Sequence, residues 1–197
     1  MRTSPSCRSS MPGRFASLFG TLLLAGWPAL AQGPEVTKEC VMLPAAKVRA
    51  VFGAFDDVMA SGGYIPGGEV PHVAKVHEMS ISTCVFRRQS TREVLQIIAN
   101  WYPSFDDAAE GFEHASQAES HGVPYYTKGV KKGPIQVFEG NGRSLAYLSN
   151  SVVMAHWLVV KGTSVQPADV PGKRLTPLLV SILCPEFPTC KIPALKP

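Results

Sequence analysis

The stretch IQVFEGNGRSLAYLSNSVVMAHWLVV, residues 135 to 160, decides the fold. Ile135 to Glu139 and Arg143 to Leu148 are short runs of strand-forming residues. The dipeptide Asn141-Gly142 between them tolerates positive φ and marks a tight β-hairpin. Ser149 to Ser151 turns the chain again, and Val152 to Val160 is an almost unbroken apolar run that belongs in the middle of a sheet. Three antiparallel strands in sequence are therefore expected here.

Working outward, Ser80 to Arg88 alternates as a strand, and Glu93 to Tyr102 follows it after a polar turn, giving a second hairpin. Pro103 ends that hairpin. Ser104 is then a helix N-cap with Asp106 and Asp107 in the first turn, opening a helix to about Ala118 whose buried side carries Phe105, Ala108, Ala109, Phe112 and Ala115. A shorter helix is expected over Leu43 to Gly53, started by Pro44 and stopped by Gly53, with Val48, Val51 and Phe52 on its apolar side. Leu175, Leu178, Leu179 and Ile182 repeat at helical spacing in a last helix, where Pro177 requires a late start or a kink. Glycine and proline in Ser61 to Pro71 predict a long loop, and His121 to Lys132 a second. The expected fold is α+β: an antiparallel sheet of about five strands with three helices on one face.

The first 31 residues read as a secretory signal peptide. Arg2, Arg8 and Arg14 precede the apolar run Phe15 to Leu24, and Ala29 and Ala31 give an A-x-A cleavage site. Residues 32–197 are then a single domain with a disulfide-bearing C-terminal tail, periplasmic or secreted, with no transmembrane segment after signal removal. The box that would carry a lipid has Trp27 where a Cys is needed. Of the 197 residues, 17% are charged and the net charge is +4. Without the three early Arg, 16 basic residues face 15 acidic ones, so electrostatic capture of nucleic acid is not indicated.

Four cysteines remain after the signal, an even count suited to an oxidising compartment. They allow three pairings. A local bridge could close Cys184 to Cys190, leaving Cys40 for Cys84. A zinc site is the alternative, but no C-x-x-C spacing supports it.

A Cys followed by a short helix ending in Phe52-Gly53, a second Cys on the first strand, and an Asn-Gly meander before a C-terminal helix resemble small secreted or lipid-anchored bacterial domains, abundant in actinobacteria and mostly of unknown function. The resemblance spans about residues 40 to 183. It implies a Cys40–Cys84 disulfide and carries no catalytic residue with it.

Candidate chemistry is sparse. His72 and His77 with Glu78 end the glycine-rich loop. Glu110 and His114 lie four apart on one helix, half a metal site in spacing, yet off its apolar stripe and more simply a solvated pair. His156, on an apolar strand, reads as a hydrogen-bonded core residue. No G-x-S-x-G nucleophile elbow occurs, and Asp56-Asp57 and Asp106-Asp107 are sequence neighbours that do not face each other as a glycosidase pair would. No metal or cofactor is assigned. Basic residues gather as Arg87, Arg88 and Arg92, and as Lys128, Lys131 and Lys132 beside Tyr125 and Tyr126. The second group is the candidate contact surface. The sequence thus points to a non-catalytic extracytoplasmic binding module, inhibitor-like proteins included, acting through its long loops on an envelope protein, a glycan or a small ligand. An extracytoplasmic hydrolase with an unrecognised site is the alternative.

Overall fold

The computed structural model describes residues 36–37, 39–68, 76–120, 122–186 and 189–190. The expected signal peptide, residues 1–31, and His72 and His121 lie outside them. In chain order the elements are β1 (Val36–Thr37), α1 (Ala45–Phe52), β2 (Asp57–Ile65), β3 (Met79–Arg88), β4 (Glu93–Trp101), α2 (Phe105–Ser116), β5 (Glu119–Ser120), β6 (Val123–Pro124), β7 (Lys128–Lys132), β8 (Ile135–Gly140), β9 (Arg143–Leu148), β10 (Ser151–Lys161), β11 (Ser164–Pro167) and α3 (Thr176–Leu183).

Eight strands follow one another in the order β1-β2-β3-β4-β10-β9-β8-β7, every pair antiparallel, and β11 joins β10 where β9 no longer reaches it. The two hairpins read from the sequence meet at β4 and β10. The apolar run of residues 152–160 therefore holds the centre, between β4 and β9. The expected five strands are exceeded because the outer ones hide their pattern. Ser61 to Ile65, read as loop, belongs to β2: Gly62 and Gly63 pair with Ser82 and Ile81. Lys128 to Lys132, also read as loop, is the edge strand β7. Its charges suit an edge, because lysines there hinder pairing with another chain.

The helices cover two faces, not one. Val153, Ala155 and Trp157 of β10 join Val48 and Phe52 of α1 and Leu178 and Leu179 of α3 in one core. Val152 and Met154, one residue out of phase, join Ala108 and Phe112 of α2, with Leu145 and Tyr147, in a second core on the opposite side. α1 ends where Gly53 takes a φ of 81°, and Val51, assigned to its apolar side, is 39% exposed. In α2 the Ser104 hydroxyl accepts from the Asp107 N–H as expected of an N-cap, while Ala109 faces solvent. Pro177 sits in the first turn of α3, so the late start is the solution adopted. In the hairpin turn only Gly142 takes positive φ, 62°.

Cys40 is bonded to Cys84, and Cys184 to Cys190. Two disulfides fit an extracytoplasmic protein. No helix among the described residues is long and apolar enough to cross a membrane.

Candidate anion-binding site

Arg143 is the first residue of β9, directly after the Asn141-Gly142 turn. Its side chain shares the α2 side of the sheet with Leu145, and the register sets it beside His156 of β10, which has Gln96 of β4 as its other neighbour. Across the sheet this gives a polar row of guanidinium, imidazole and amide. The chain from β6 to β7 crosses the end of β8 at Gly140, whose missing side chain lets the Tyr125 backbone pass. That crossing lays the Tyr125 ring on Arg143, with the guanidinium carbon 3.4 Å from the ring centroid.

The electrostatics of this cluster are unbalanced. Among the described residues no carboxylate pairs with Arg143, and its Nε is buried without an acceptor. By contrast Arg88 reaches Glu93 and the carbonyls of Phe52 and Ala54, so that cation is absorbed into the fold. The imidazole of His156 is pushed down to about 4 by burial and then by the neighbouring Arg143 charge. Its Nε2 is buried and has no partner, so the expected hydrogen-bonded core histidine is not what the fold contains. Tyr126 is 7% exposed, and burial raises its hydroxyl to about 12 against the opposing pull of Arg143.

The five residues singled out in the sequence are divided. Tyr125 is half-buried and Tyr126 buried, both at Arg143 rather than open on a loop. Lys128, Lys131 and Lys132 are exposed on β7, but strand alternation sends Lys131 to the opposite side from Lys128 and Lys132. Lys132 borders a pocket of about 400 Å³ lined by Thr176, Pro177, Val180, Ser181, Cys184 and Pro185. Lys128 shares a shallower depression with Lys173 and Glu139. Arg143 itself was missed, because in sequence it is only the residue after a turn. The signal available was an arginine directly opposite a histidine once the hairpin register is drawn.

No protein-family model, curated protein or solved structure matches the chain. The resemblance to small secreted or lipid-anchored bacterial domains thus stays an expectation from residue order and spacing.

The His156 environment makes stability depend on pH. The unfolded chain takes up this proton near pH 6.5 and the folded protein only near 4. The contribution is therefore complete above pH 6.5 and drains away as pH falls toward 4, by at most about 3 kcal/mol. Urea unfolding at pH 7 and pH 4.5 is expected to show a fall in wild type that His156→Gln largely removes. Equal falls in both proteins would assign the pH dependence to other groups.

Proposed function

We propose that this is a secreted or periplasmic module that binds without turnover and holds an anionic group of its partner at Arg143. The observation that carries the reading is a half-buried arginine, fixed by an aromatic ring, with no carboxylate to neutralise it among the described residues. A cation withdrawn from water is normally paired, and a planar guanidinium suits bidentate contact with carboxylate, phosphate or sulfate. Neutral His156 and the amide of Gln96 add polar atoms without adding negative charge. The four described cysteines are all bridged, which leaves no thiol nucleophile among them. Of the β7 lysines, Lys128 lies at this end of the sheet, opposite Glu139 next to the start of β9, and adds peripheral positive charge there.

The test is titration of the purified protein with inorganic phosphate, a short acidic peptide and a sulfated oligosaccharide, following the His156 ring by NMR. At least one probe is expected to bind, to raise the His156 pKa by neutralising Arg143, and to lose affinity about tenfold or more in Arg143→Gln. Replacing Lys128, Lys131 and Lys132 by alanine is expected to weaken binding mainly at low salt, because exposed charges are screened beyond about 10 Å at 0.1 M. Binding unaffected by Arg143→Gln but abolished in the lysine variant would move the site to the edge strand. No binding of any probe would remove the reading.

A further inference from the structure

On the same side of the sheet, at the start of α2, three metal-binding side chains from two parts of the chain converge: His77, Asp107 and Glu110. His77 precedes β3 and is only 9% exposed, so its ring is fixed by its surroundings. Its Nδ1 lies 2.8 Å from Asp107 Oδ1, a hydrogen-bond distance. Asp107 is itself held, since its other oxygen accepts from the Ser104 hydroxyl at 2.7 Å. With the Asp107 carboxylate facing Nδ1, this Ser104–Asp107–His77 chain suits the tautomer whose Nε2 lone pair points away from Asp107. The group it faces is Glu110 Oε2, at 3.3 Å.

That last distance is longer than the Asp107 contact and fits a shared ion. A charge-assisted N–H to carboxylate hydrogen bond closes to about 2.7–2.9 Å, as the Asp107 side of the ring does. Two donors on a tetrahedral ion at ligand distances of about 2.0–2.1 Å stand about 3.3 Å apart. A carboxylate on one imidazole nitrogen with the other nitrogen free for metal is also the usual supporting arrangement of a metal-binding histidine. We propose that His77 Nε2 and Glu110 bind a Zn²⁺ ion, with Asp107 as the positioning residue and water in the remaining coordination places. The mixed nitrogen and oxygen donor set favours zinc over calcium or magnesium, which prefer oxygen alone. Glu110 therefore has a metal-binding partner in His77, across the fold, rather than in His114 on its own helix.

Calorimetric titration of tag-free protein with zinc chloride tests this. One equivalent per chain is expected in wild type, with affinity reduced at least tenfold in His77→Ala and in Glu110→Gln, and by about 10–100-fold in Asp107→Asn. Glu110 is 64% exposed, so Glu110→Gln keeps the fold and serves as the decisive variant if His77→Ala does not fold. Cobalt substituted for zinc should give visible absorption bands in wild type and not in Glu110→Gln, a signature that an ion pair alone does not produce. No uptake, or uptake equal in wild type and Glu110→Gln, would overturn the proposal and leave an imidazole between two carboxylates.

Discussion

Replacing Cys40 and Cys84 together by alanine is expected to lower the unfolding free energy by about 4 kcal/mol. The two residues are 44 apart in sequence, and in the chain-entropy account a loop of that length restrains the unfolded chain strongly. The folded side of the balance adds to the loss. Cys84 is fully buried in the middle of β3 and Cys40 is 6% exposed, so both sulfurs also fill core volume between the segment leading to α1 and the sheet. Cys184 and Cys190 are only 6 apart, and removing that bridge should cost about half as much. Urea unfolding of the two double variants gives the comparison. Equal losses would mean that loop closure does not govern either bridge, and a loss below about 1 kcal/mol for Cys40 and Cys84 would mean that the bridge is marginal to the fold.

Residues 135 to 160 were legible because local pattern and tertiary role agree there: each strand buries apolar residues on sides that alternation predicts, and the turn needs a residue that accepts positive φ. The outer strands were not legible for the opposite reason. β2 contains Gly62 and Gly63, which carry no side chain to show a period, and β7 is lysine at three of its five positions because it is an edge. Counting helices from the sequence was possible, but assigning them to faces was not. The side on which α2 lies depends on the route the chain takes after β4, and its own sequence carries only the identity of its buried stripe.

The two clusters differ in the same way. Tyr125 and Tyr126 stood out as aromatic residues beside lysines, but their partner is Arg143, which reaches them only because β8 and β9 fold into a hairpin beneath the crossing chain. His77 and Glu110 were each noticed, but not as neighbours of one another, since sequence proximity is the only proximity visible before folding. Charge balance is likewise a property of the folded state: the near-neutral count concealed an arginine with no carboxylate partner among the described residues.

Gly140→Ala is expected to be the most damaging single substitution on this side of the molecule, costing about 4 kcal/mol or more. A Cβ at Gly140 would fall on the carbonyl oxygen of Tyr125 and close to the Tyr126 Cα, so the collision is with backbone and no side-chain rotation relieves it. Relief requires the Tyr125–Tyr126 segment to lift, which would uncover Arg143 and unseat the buried ring of Tyr126 together. The same knot is tied from below, because a Cβ at Gly172 would meet the carbonyl oxygens of Arg143 and Gly140. Gly68, with nothing within 4 Å of its Cβ position, is the control, and alanine there should change stability by no more than about 0.5 kcal/mol. Thermal unfolding of the two variants decides the matter: a Gly140→Ala protein as stable as Gly68→Ala would mean that the chain does not cross β8 at this glycine. A Gly140→Ala protein that folds but unfolds far earlier, with its His156 pKa shifted from about 4, would tie that crossing to the seating of Arg143. The glycine that permits the fold to close would then also be the residue that positions the proposed anion site.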